Sequence, residues 1–412
     1  MDMCGSLKGH VVAMPYPSRG HVNPMMNLCK FLASTRPHEI VITFVVTQEW
    51  LGFIGSYPKP DSIRFASIPN VIPLESQIAA VTKTRAPFEQ LLDQLEPPVT
   101  AIVADVELGW PTAVANRRNI PVALLWTMSA SFYCTIHHLN ILSSNRRLAV
   151  HLFDEHTELI PKISSSEEVG DLRNLLHEND PRFLELLLEC ISQVPKTDYL
   201  LLNTIQELES APINFLKPTF PFRLYPIGPA IPFMDSSPTN LDDPIIQNWL
   251  DSQPKMSVLY ISLGSFLSVS SPQMEQLASA LKTSGIRFLW VARSYAASTT
   301  GVLEPLWVEF NSRGCVRWCA YSGVSSVFGS RFELQENCGR VEEWAEGGGF
   351  VTREEILEVL RMVMDVESEE GKEIRERARE VKDMCRRGIA RGGSSDINLT
   401  TFVQDILGVE GH

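Results

Sequence analysis

A chain of 412 residues, 44% hydrophobic and 21% charged, holds enough apolar material for more than one packed core, and it carries too little Gly and Pro for extended disorder. Its net charge is −13, from 49 acidic against 36 basic residues, and the one Arg-rich stretch, 375–391, is interleaved with Glu376, Glu380 and Asp383, which argues against a nucleic-acid partner. No apolar run approaches the roughly 18 residues that span a bilayer and the opening stretch is too broken for a signal peptide, so a cytoplasmic protein with eight free thiols and no membrane association is expected.

Short β-branched runs at 11–14, 40–46, 63–68, 101–104, 122–126 and 199–203 alternate with helical patterns such as 23–33 and 111–117. That alternation predicts a parallel sheet covered by helices, an α/β architecture. Prolines then cluster from Pro218 to Pro244 and read as an interdomain linker, taken as 221–254, after a first domain of 1–220. The alternation restarts with a strand at 257–263, a helix opened by Ser271-Pro272 and running to about 282, and a strand at 287–292. Thr352-Arg353-Glu354-Glu355 is a capping box for a helix through 364, and Gly392-Gly393-Ser394-Ser395 breaks a charged helix ahead of a final one at 396–406. The second domain is set at 255–390, and the segment 391–412 is expected to pack back on the first. Residues 294–350 carry no comparable periodicity.

The first strand runs into Pro15-Tyr16-Pro17-Ser18-Arg19-Gly20-His21, which puts His21 at the carboxyl end of a parallel strand, where open α/β sheets bind ligands. A histidine there accepts a proton near neutral pH when a carboxylate fixes its tautomer, and Asp105, ending the strand at 101–104, is the candidate. On position alone two readings stay open: the pair meets in one crevice, or each residue only starts its own helix. Cys315 and Cys319 lack a nearby histidine to complete a metal site, so no metal is assigned. The sequon at Asn398 has no role in a cytosolic chain. A nicotinamide-dependent oxidoreductase is disfavoured because no Gly-x-Gly-x-x-Gly follows the first strand.

Pro-Ser-Arg-Gly-His-Val-Asn-Pro-Met-Met-Asn-Leu at 17–28, Val-Ala-Asp at 103–105 and Leu-Trp-Thr at 125–127 resemble the acceptor domain of the plant family 1 UDP-glycosyltransferases. The resemblance continues through Trp-Leu-Asp-Ser-Gln-Pro at 249–254, Val-Leu-Tyr-Ile-Ser-Leu-Gly-Ser at 258–265 and Arg-Phe-Leu-Trp-Val-Ala-Arg at 287–293, with the 87A subgroup most similar. It implies a GT-B fold, two Rossmann-like doubly wound domains with acceptor on the first and UDP-sugar on the second. The implied chemistry is transfer of a hexose, expected to be glucose, to a small lipophilic hydroxyl or carboxyl acceptor with inversion and without metal. His21 then matches the base, Asp105 its support, and Thr127 the position that reaches the transferred sugar. Gly264 and Ser265 match residues beside the diphosphate, and Trp318 matches the tryptophan that stacks on uracil. The chain is expected to be monomeric, with the UDP-sugar as co-substrate and no cofactor.

One block departs from that pattern. The family's donor-binding box His-Cys-Gly-Trp-Asn-Ser, with its later Glu and Asp-Gln, is missing: after Arg317-Trp318-Cys319 the chain reads Ala-Tyr-Ser-Gly-Val-Ser-Ser-Val-Phe, and similarity returns only near Val341-Glu342-Glu343-Trp344. No histidine occurs between His177 and His412, and Gln335 is a poor replacement for the Asp-Gln pair. The second domain is therefore expected to be truncated and its donor site weakened, with 320–336 reading as a splice change, deletion or frameshift. A noncatalytic protein that binds acceptors or regulates is the alternative.

Overall fold

The computed structural model describes residues 9–56, 58–70, 83–144, 181–230, 244–255, 257–262, 271–293, 305–307, 351–365 and 367–408. They fall into two compact units, one from the described residues between 9 and 230 together with 384–408, the other from those between 244 and 383.

The first unit is built on seven parallel strands: β1 (Gly9–Met14), β2 (Ile40–Thr47), β3 (Ile63–Ile68), β4 (Ala101–Asp105), β5 (Val122–Trp126), β6 (Tyr199–Leu202) and β7 (Arg223–Pro226). Their order is β3-β2-β1-β4-β5-β6-β7, so the chain winds outward from β1 to one edge and then outward from β4 to the other. Because side chains alternate along each strand, these runs feed two separate cores. Val12, Met14, Ile102, Ala104, Leu124 and Trp126 pack on one face. Val11, Ala13, Ala101, Val103, Ala123 and Leu125 pack on the other. The central strands are buried on both sides, which is why they read as unbroken apolar runs.

The helix Arg19–Thr35 lays Val22, Met25, Met26, Cys29 and Leu32 on the second face. It begins four residues before the expected start at 23, and Pro24, which has no amide hydrogen to donate, lies inside it. Helices Ala130–Ser144 and Pro181–Gln193 cover the first face. Arg223–Pro226, expected within the linker, is instead an edge strand; Pro226 closes it, and an edge position spares the missing donor. The last helix, Ser394–Ile406, starts two residues earlier than expected and buries Leu399, Phe402, Val403 and Ile406 in the same core as the first helix.

In the second unit β8 (Val258–Ser262) and β9 (Arg287–Arg293) are parallel, and the short β10 (Pro305–Trp307) adds antiparallel to β9 at the edge. No sequence signal announced β10, three residues inside the stretch without periodicity. Helices Ser271–Ser284 and Arg353–Met364 cover this sheet, with Ala280, Leu281, Trp290, Ile356, Leu357 and Leu360 forming the core. The capping box at 352–355 is present, with Glu355 Oε2 accepting from the Thr352 amide at 2.7 Å.

Candidate functional site

The strand order reverses between β1 and β4, so the loops leaving these neighbours diverge and leave a crevice at their carboxyl ends. In register, Met14 pairs with Ala104 and Asp105 with Leu125. The segments after β1, β4 and β5 therefore start level with one another. Each delivers a polar side chain to the same point.

His21 sits in the first turn of the helix Arg19–Thr35, its backbone amide held by the Ser18 carbonyl at 3.0 Å. Its Nδ1–H donates to Asp105 Oδ2 at 2.8 Å. The Thr127 hydroxyl, just past β5, lies 3.2 Å from the same nitrogen. Asp105 is 1% exposed and His21 13% exposed, so the carboxylate is sealed beneath a ring that still reaches solvent. The other Asp105 oxygen accepts from the Glu107 amide at 3.0 Å and caps the short turn Val106–Leu108. Asp105 thus does both things left open above, one with each oxygen. With Nδ1 committed to Asp105, the lone pair of a neutral His21 resides on Nε2.

The structure adds a residue that sequence reading missed. The turn after Asp105 brings Glu107 back over the histidine, with Oε2 3.8 Å from His21 Nε2. The signal available was a second acidic side chain, two residues after Asp105, inside an otherwise apolar run from Ile102 to Trp110; its direction depends on a turn that spacing does not reveal. That turn is fixed by Gly109, whose φ of +67° closes it, and by Cys190 of the helix Pro181–Gln193, whose thiol donates to the Glu107 carbonyl at 3.3 Å. Tyr16 was missed as well; its ring centroid is 5.2 Å from that of His21.

The electrostatics follow from this crowding. Burial alone lowers the His21 pKa, but Asp105 and then Glu107 outweigh it and push it up to about 9. Glu107 is itself raised, by burial first and by Asp105, against the pull of His21. Burial and the same two carboxylates raise Tyr16, and burial with Glu107 raises Cys190, so both remain neutral near pH 7. A histidine placed this way can carry a proton taken from a hydroxyl at Nε2 while Asp105 balances its charge.

Of the residues singled out from sequence, His21, Asp105 and Thr127 come together. Gly264, Ser265 and Trp318, along with Gln335, Cys315, Cys319 and the stretch 320–336, lie outside the described residues. Among the described residues no group of three or more His, Cys, Asp or Glu side chains could hold a metal ion, and no helix is long and apolar enough to cross a membrane.

No family model matches the chain. Among curated proteins it is 38% identical to UDP-glycosyltransferase 87A1 of Arabidopsis thaliana, covering 95% of this chain and 99% of that protein. It is 39% identical to UDP-glycosyltransferase 87A2 of the same plant, covering 96% of each. A more distant relative is (R)-mandelonitrile beta-glucosyltransferase of Prunus dulcis, 28% identical over 97% of each chain. The alignment with 87A1 runs over 445 positions, and 95% of 412 residues is about 391, so about 54 aligned positions have no residue of this chain opposite them. Among solved structures, a Medicago truncatula glycosyltransferase complexed with UDP-glucose superposes with a TM-score of 0.72 at 20% identity, covering 97% of this chain and 98% of the other. A Siraitia grosvenorii transferase in complex with UDP gives 0.72 at 20% identity, over 97% and 99%. These likenesses show the fold, GT-B with two Rossmann-like units.

Proposed function

Because this chain belongs to the plant family 1 UDP-glycosyltransferases, 87A-like enzymes that glycosylate small molecules from a UDP-sugar, we propose that it transfers a hexose, glucose first among the candidates, to a small lipophilic hydroxyl compound by a histidine-assisted inverting displacement. The observation that carries this reading is the 2.8 Å contact between His21 Nδ1 and Asp105 Oδ2 at the switch point of the first sheet. In the reaction His21 Nε2 takes the acceptor's hydroxyl proton as the oxygen forms its bond to the anomeric carbon. The bond from that carbon to the UDP oxygen breaks in the same step, and UDP leaves with the electron pair. Asp105 keeps Nδ1–H oriented and balances the imidazolium, while Thr127 is assigned to the transferred sugar. General-base assistance of this kind contributes roughly 10²–10⁴-fold.

Donor binding is expected to be weak. The absence of histidine from 178 to 411 and the roughly 54 uncovered positions against 87A1 support loss of the diphosphate-gripping box. Each charge-assisted hydrogen bond lost is worth about 1.5–3 kcal/mol, so two or three together cost several powers of ten in affinity. That same observation favours a second reading, a protein that keeps the acceptor pocket but no longer turns over.

One pair of measurements separates them. The active reading expects calorimetric binding of UDP at or below millimolar concentration, and glucoside formation from UDP-glucose that His21→Ala reduces at least a hundredfold in a protein of unchanged circular dichroism. Absence of UDP heat and of product in the wild type supports the second reading; equal turnover in the variant removes His21 from the mechanism.

A further inference from the structure

Glu107 is not required for the base mechanism, yet its Oε2 lies 3.8 Å from His21 Nε2, the nitrogen assigned above to the acceptor hydroxyl. Its side chain is 16% exposed, so it is reachable but poorly screened by water. Among the described residues its one ion-pair partner is His21. The other titratable groups packed around it are Asp105 on its own turn, Tyr16 beyond β1 and Cys190 on the helix Pro181–Gln193. None of the three supplies a positive charge.

An imidazolium and one aspartate cancel. Adding Glu107 leaves the cluster with one net negative charge when His21 holds its proton, and the same total results if that proton sits on Glu107 instead. The excess faces the acceptor, since Asp105 is sealed underneath. A carboxylate presented to Nε2 would meet that excess of like charge in a site poorly screened by water.

Resting on the acceptor reading above, we propose that Glu107 selects acceptors by charge: the site takes neutral or cationic hydroxyl compounds and rejects carboxylates, so its products are O-glucosides of alcohols and phenols rather than glucose esters. The Asp105 cap on its amide and the Cys190 thiol on its carbonyl fix the backbone from which the Glu107 side chain departs.

The test compares three aromatic probes of one shape at pH 7, by calorimetry on the full chain: 2-naphthol, 2-naphthoate and 2-naphthylmethylamine, the last as its ammonium ion. The wild type is expected to bind the alcohol at least about a hundredfold more tightly than the carboxylate, with the ammonium at least equal to the alcohol. In Glu107→Gln the alcohol-to-carboxylate ratio should fall to about tenfold or less. Equal binding of naphthol and naphthoate by the wild type, or an unchanged ratio in the variant, overturns the charge filter and leaves the acceptor pocket standing. Binding of none of the probes overturns both. The ranking in the unmodified protein decides the matter even if the variant folds poorly.

Discussion

At the residue scale, the site is a problem in proton inventory. His21 faces two carboxylates, through Nδ1 at 2.8 Å and Nε2 at 3.8 Å, and its pKa rises to about 9. A base must be unprotonated to act, so kcat/KM for glucoside formation should climb with pH through an apparent pKa near 9 rather than near 6.5, and Glu107→Gln should move that inflection downward. A profile already flat by pH 7.5 in the wild type contradicts this arrangement. The linkage to stability has the opposite sense. Because the folded pKa lies above the unfolded one, the proton on His21 stabilises the fold fully below about pH 6.5, and the contribution is lost as pH rises toward 9.

At the scale of elements, the turn joining β4 to the helix Pro111–Arg118 deserves the sharpest test, since it orients Asp105 and Glu107 together. Gly109 sits there at φ +67°, and a Cβ at that position would lie 3.0 Å from Cys190 Sγ. Left-handed backbone costs a side chain about 1–2 kcal/mol, so Gly109→Ala should destabilise the first unit by about 1–3 kcal/mol and weaken acceptor binding, read by denaturant melts and naphthol titration. Unaltered stability and binding in that variant would show the turn to be slack. This turn also marks where the sequence stops being legible. The strands were plain because burial on both faces writes apolar runs, and His21 and Asp105 followed from their places at strand ends. Glu107 was not plain, because its aim depends on a three-residue turn and on Cys190, 83 residues away. The helix Pro181–Gln193 was overlooked although Leu184, Leu187, Leu188 and Ile191 recur at spacings of three and four after an initial proline. Arg223–Pro226 was hidden by a proline that only an edge strand accepts.

At the scale of the whole molecule, the first unit is not one continuous stretch of chain. The helix Ser394–Ile406 fastens along β7 and the segment after it: Ser395 Oγ donates to the Gly228 carbonyl at 2.5 Å, Asn398 Nδ2 to the Pro226 carbonyl at 2.8 Å, and Arg223 and the Tyr225 hydroxyl both donate to Asp405. Asn398, marked from sequence only as an inert sequon, spends its amide on that bond. Phe402, fully buried, packs edge-on against Tyr199 with centroids 5.8 Å apart and tilts against Tyr225 at 5.9 Å. Phe402→Ala should cost the first unit about 3–5 kcal/mol, seen as a lower urea midpoint by tryptophan fluorescence. A change below about 1 kcal/mol would mean the helix is dispensable.

That fastening has a consequence for biosynthesis. Ser395 and Gly228 are 167 residues apart, and at about 5–20 residues per second a ribosome needs roughly 10–30 s to travel between them. For most of that interval the sheet that carries His21 and Asp105 has its Tyr199–Tyr225 surface still bare. The nascent protein must wait for the helix Ser394–Ile406 with sticky aromatic rings facing solvent.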